Sequence, residues 1–106
     1  MKITKKQRLI LEIICEGIRD DKNRRIGWLD AQEICDKAPY TVSIHAMKFT
    51  LRFLGDKGMV EKCDAVLRRD RWVVPVKPTN MAYDYIIRNV DPRQLEHDND
   101  VIELYL

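Results

Sequence analysis

Glycine and proline are scarce in this chain, four of each in 106 residues. The glycines stand apart at Gly17, Gly27, Gly55 and Gly58, so there is no Gly-rich loop to cradle a phosphate. Cysteine is limited to Cys15, Cys35 and Cys63, an odd set without CxxC spacing. These read as reduced thiols of a cytoplasmic protein, and no metal is expected because metal sites need clustered ligands. No apolar run approaches the length of a membrane span, and the Lys-rich start lacks the apolar segment of a signal peptide. HExxH, GxSxG and paired-carboxylate motifs are missing, and the two histidines have no evident nucleophile partner, so neither an enzyme nor a cofactor is expected. Repeats and low-complexity stretches are lacking as well.

What remains is an ordinary folded composition, 45% hydrophobic, with room for one domain and a modest core. The net charge is only +2, but its distribution is uneven. Residues 1–78 hold 17 Lys/Arg against 11 Asp/Glu, whereas residues 79–106 hold 2 against 6. A basic body with an acidic tail suits a core that binds a polyanion, with the tail turned elsewhere; a solvated surface with chance asymmetry is the alternative.

Thr4-Lys5-Lys6-Gln7 has the form of a capping box, followed by Leu9, Ile10, Ile13, Ile14 and Ile18 at helical spacing. A first helix is expected over roughly 5–19. The polar loop RDDKNRR follows, then Ile26-Gly27-Trp28-Leu29 as a small strand. Asp30 is an N-cap with Glu33 as its reciprocal partner, flanked by the staple Leu29/Ile34. The second helix runs about 31–37 and must end before Pro39. A third helix starts at Thr41 or Ser43 and carries Ile44, Met47, Leu51 and Leu54 on one face, closing at Gly55-Asp56-Lys57-Gly58.

Two strands are expected at about 59–66 and 72–77, joined by the basic tip LRRDR. Pro75 puts the second at an edge or breaks it. Asn80 is positioned to cap a helix to about Asn89, with Ala82, Tyr83, Ile86, Ile87 and Val90 apolar. A short turn over 92–96 and an apolar end, Val101 to Leu106, complete the chain.

Helix, short strand, helix, helix and two-stranded hairpin is an α+β order. From Ile26 to Thr79 it resembles the winged helix-turn-helix of MarR-type bacterial regulators. The residues that carry the likeness are LDAQEI opening helix two, MKFTLRFL in helix three, KGMVEK entering the wing and RRDR at its tip. The resemblance implies a winged helix domain over 1–79 and an extension over 80–106 that packs on it or makes a dimer or partner contact. The turn between helices two and three is about two residues longer than that family's usual one. The chain also lacks the extra N-terminal helix and the long C-terminal helix that join typical MarR dimers. Any homodimer interface is therefore expected from residues 80–106 or from helix one.

On this resemblance helix three enters the major groove of double-stranded DNA, with Ser43, His45, Lys48, Phe49 and Arg52 outward. Arg52 and Lys48 are the best base or phosphate ligands, and Arg68, Arg69 and Arg71 at the wing tip suit a minor groove or flanking backbone. The alternatives are a solvated helix face and a charged turn that guards an edge strand. Lys5, Lys6, Arg24 and Arg25 are second-tier phosphate ligands, and Trp28 and Trp72 read as core at the base of the wing.

Phe49 and Phe53 form, with Val42 and Ala46, a second apolar stripe that reads as buried; the alternative leaves Phe49 to touch a thymine methyl. The resulting expectation is a sequence-specific transcriptional regulator. A winged helix that binds a protein partner through Phe49/Phe53 and the acidic tail is the other.

Overall fold

The computed structural model describes residues 3–88. Helix α1 spans Lys5–Glu16 and opens with the expected capping box: the Thr4 hydroxyl accepts the Gln7 N–H at 3.1 Å, and the Gln7 side chain accepts the Thr4 N–H at 2.8 Å. It ends earlier than the spacing to Ile18 suggested, because the chain turns at Gly17 with φ 67°. A Cβ there would sit 2.8 Å from the Gly27 carbonyl oxygen, so glycine is what allows this close approach. Ile18–Arg19 becomes strand β1, paired antiparallel with β2, Arg25–Gly27. The single strand expected at 26–29 is thus one arm of a hairpin. Asp20 ties its loop by accepting the Lys22 and Arg24 N–H groups at 2.9 and 2.8 Å.

Helix α2, Ala31–Lys37, carries the second capping box, in which Asp30 accepts the Glu33 N–H and Glu33 accepts the Asp30 N–H. Ala38, held extended ahead of Pro39, ends it. Helix α3, Ile44–Asp56, is capped by Ser43, whose hydroxyl accepts the Ala46 N–H at 3.0 Å. The left-handed residue that closes this region is Gly58, φ 77°, so α3 runs through Gly55.

The hairpin after α3 is divided. Strands β3 (Val60–Lys62) and β6 (Val76–Pro78) pair antiparallel, and beyond them β4 (Val66–Arg68) pairs with β5 (Arg71–Val73). The two expected strands are each interrupted, at 63–65 and at 74–75. Pro75 supplies the reason: it has no N–H for the ladder, though its carbonyl still accepts the Cys63 N–H at 2.9 Å. Arg69 and Asp70, both at positive φ (51° and 61°), make the tight turn between β4 and β5. On the far side of β6, the Val76 N–H donates to the Leu29 carbonyl at 2.9 Å, so the piece just before α2 lies beside this hairpin.

Helix α4, Asn80–Arg88, is capped by Thr79 and not by Asn80: the Thr79 hydroxyl accepts the Ala82 N–H at 3.3 Å and donates to the Gly58 carbonyl at 2.6 Å. The helix packs on α1 and β6, so this part of the 80–106 extension belongs to the same body. Its inner residues are Ala82, Tyr85 and Ile86, while Ile87, expected inside, is 72% exposed. The readings for Val90, the turn at 92–96 and the apolar end lie outside the described residues.

The core joins Ile10, Leu11 and Ile14 of α1 to Ile34 of α2, Met47 and Leu54 of α3, and Met59, Val60, Val76 and Ala82. Within α1 the buried face centres on Leu11, which the expected stripe left out, while Leu9 is partly exposed. The described residues form an α+β arrangement of four helices and small antiparallel sheets. Among the described residues no helix is long and apolar enough to cross a membrane.

Candidate nucleic-acid interface

Helix α3 is fixed by Met47 and Leu54, both buried, and this sets which side it offers to solvent. His45, Lys48, Phe49 and Arg52 lie exposed on that side, and Ser43 is exposed at the start of the helix. The Ser43 hydroxyl is already engaged as the helix cap. Phe49 is 69% exposed, so no described element of the chain covers it. The second apolar stripe splits: Val42 and Phe53 lean on the core, with the Lys57 ammonium 5.5 Å from the Phe53 ring centre, whereas Ala46 and Phe49 face out. Nothing in the described chain lies over the outer half.

The three arginines of the hairpin part company. Arg68 and Arg69 turn back onto the first turn of α2. Arg68 reaches Glu33 at 2.6 Å, and Arg69 reaches Glu33 at 3.1 Å and Asp30 at 3.0 Å. Burial pulls the Asp30 carboxyl upward, but the Glu33 N–H, the hydrogen bond and charge of Arg69, and the charge of Arg68 together hold it below the usual carboxylate range. Arg71 extends into solvent without an ion-pair partner among the described residues.

Trp72 is 72% exposed and stands opposite Leu67, itself 59% exposed, so the expectation of a core Trp72 fails. The hairpin is only two strands thick here and carries that pair on its open face. Trp28 is half-buried, with the Arg25 guanidinium 4.5 Å from its ring centre.

Between α3, the start of α2 and the hairpin lies an open cleft of about 660 Å³. Lys48 and Arg52 enter it from α3, Lys62 from β3 and Arg71 from β5. None of these four has a carboxylate partner among the described residues, and Leu51, Val60, Val73 and Val76 line the cleft beneath them. Asp30, Asp56 and Glu61 also border it; Asp30 is bound to Arg69, and Glu61 pairs with Lys77 at 3.3 Å. Unpaired cations along an apolar trough can meet phosphate oxygens or planar base edges.

The second-tier cations are mostly occupied. Lys6 sits 4.9 Å from the Tyr40 ring centre, Arg24 binds Asp20, Arg25 donates to the Cys15 carbonyl, and Lys5 is also engaged. Burial pushes the Cys15 thiol up to about 11, so it is protonated at neutral pH.

Sequence reasoning missed Lys62 and the anchoring of Arg68 and Arg69. Lys62 carried a usable signal, since it is a charged residue on a short strand next to a basic tip. The ion pairs carried none, because their partners are 35 to 39 positions apart.

Comparison with models of protein families, with curated proteins and with solved structures finds no match to this chain.

Proposed function

We propose that this chain is a winged helix DNA-binding protein of the MarR-like kind, acting in the cytoplasm as a sequence-specific transcriptional regulator. The observation that carries the reading is the convergence of Lys48, Arg52, Lys62 and Arg71, without carboxylate partners among the described residues, on one cleft between α3 and the hairpin. The element order supports it, as does the Val76–Leu29 hydrogen bond, which sets an extended piece ahead of α2 beside the returning strand. Helix α3 has 13 residues and so is about 20 Å long, enough to lie in a major groove.

In this account Arg52 and Lys48 meet base edges or phosphates, with His45 and Ser43 near the start of α3, and Arg71 and Lys62 grip the flanking backbone. Arg68 and Arg69 hold the wing at its angle through Asp30 and Glu33 instead of contacting DNA. A homodimer on a two-fold operator belongs to the same proposal. The exposed Met81 and Ile87 of α4 are apolar residues open to a second copy. No catalytic step and no cofactor enter the account.

Selection of bound duplexes from a randomised pool tests the proposal. A common motif should emerge, and Arg52→Ala should relax one position by about 1–3 kcal/mol. A pool that stays random after several rounds contradicts sequence-specific binding.

A second reading, a winged helix that binds a protein partner, is favoured by one observation. Phe49, Leu67 and Trp72 are each more than half exposed, and Trp72 lines the cleft. Under that reading duplex DNA is not retained at low salt, and a partner is captured by wild type but not by Phe49→Ala.

A further inference from the structure

We propose that the cleft between α3 and the β4–β5 hairpin takes an unpaired nucleic acid strand, with a base stacked on Trp72 and phosphates on Lys48, Arg52, Lys62 and Arg71. The phosphate contacts rest on the DNA reading above; the unpaired base and its stacking go beyond it.

The chemistry of the cleft is two-sided. Lys48, Arg52, Lys62 and Arg71 have no carboxylate partner among the described residues, and Leu51, Val60, Val73 and Val76 line the cleft beneath them. Asp30, Asp56 and Glu61 also border it, but Asp30 is bound to Arg69 and Glu61 to Lys77, which leaves Asp56 against the four cations. A duplex turns its phosphates outward and keeps its base faces stacked inside, so it meets the cations and leaves the apolar floor unused. An unpaired strand offers both halves. Its bases are free to lie against apolar and aromatic side chains while its phosphates reach the cations.

Trp72 supplies the platform. It lines the cleft at 72% exposure, so its ring adds little to the core and is open to a base. The strand that carries it is held in place. β5 pairs with β4 from Arg71–Arg68 to Val73–Val66, and Arg68 and Arg69 tie the hairpin to Glu33 and Asp30 at 2.6 and 3.0 Å. A platform fixed in advance loses little freedom on binding, and Arg71 beside it adds a planar cation that also contacts bases. Stacking reads the π-face that every base has, so strands of different sequence should bind with only modest preference.

The chain has only two tryptophans, and Trp28 is not part of the cleft lining, so Trp28→Phe leaves Trp72 as the single indole. In that background a short oligothymidylate at low salt should quench the Trp72 fluorescence to saturation. An abasic strand of the same length, with the same charge and no bases, should not. In the otherwise wild-type chain, Trp72→Ala should weaken oligothymidylate binding about tenfold and Trp72→Phe much less, with blunt duplex binding kept within about twofold in both. Oligouridylate run in parallel tells RNA from DNA as the source, the tighter strand being the ligand, and quenching by either supports the proposal.

Fluorescence unmoved by both strands overturns the proposal, as does equal quenching by the abasic strand. So does a Trp72→Ala loss of the same size on duplex, since Trp72 is then a general contact. Quenching by a single strand with no duplex bound supports the proposal while the duplex regulator falls. Duplex binding without quenching by either strand overturns the proposal and leaves the regulator standing.

Discussion

Asp30 caps α2 with one carboxylate oxygen, 3.0 Å from the Glu33 N–H, and binds Arg69 with the other, also at 3.0 Å. Among the described residues it is the buried charged one, 3% exposed. Loss of a cap costs about 1 kcal/mol and loss of a charge-assisted hydrogen bond about as much again, so Asp30→Ala should destabilise by about 2 kcal/mol in a urea titration. Asp30→Asn keeps the cap acceptor and should lose about half of that. The pH dependence follows from the lowered carboxyl. A carboxylate more acidic when folded than when unfolded stabilises above the free aspartate value of about 3.9, and that contribution drains away as pH falls through the folded value. The difference between wild type and Asp30→Asn should therefore be full at pH 6 and shrink below pH 4. An unchanging difference across that range would contradict the ion-pair role.

At the level of elements, α3 is held by a few residues and offers the rest. Met47 is 1% exposed, so Met47→Ala should cost about 2–5 kcal/mol. Phe49→Ala and Trp72→Ala should stay within about 0.5 kcal/mol of wild type by chemical denaturation, because both rings stand in solvent. A loss of 2 kcal/mol or more at either ring would mean that something covers it.

What could be read in advance at this scale was local. Both capping boxes, the Ser43 start among the two considered and the break at Pro75 follow from neighbours within four positions. Phe49 did not, because a helix with two apolar stripes states a preference for burial without saying whether another element arrives to cover it. Gly17 did not either: a scattered glycine gave no sign that β2 would pass so close that a side chain could not fit.

At the scale of the molecule, the described residues place four cations without carboxylate partners where α3 meets the hairpin. The first 78 residues carry an excess of six cations, and the asymmetry with the acidic end was visible in the chain itself. Which cations are free was not visible, because that depends on Arg68 and Arg69 finding carboxylates far away in sequence. In the proposed function the DNA contacts therefore fall to Lys48, Arg52, Lys62 and Arg71, and Arg68 and Arg69 brace the hairpin.

The measurement that tests this most directly is binding to random-sequence duplex DNA at several salt concentrations. It compares wild type with Lys48→Ala/Arg52→Ala/Arg71→Ala, and with Arg69→Ala as the control. Each lost phosphate contact lowers the log–log salt slope by about 0.9, so the triple variant should flatten it by about 2 to 3. Arg69→Ala should leave the slope nearly unchanged while weakening binding at every salt. Wild type that fails to bind at low salt, or a triple variant with an undiminished slope, would contradict the account.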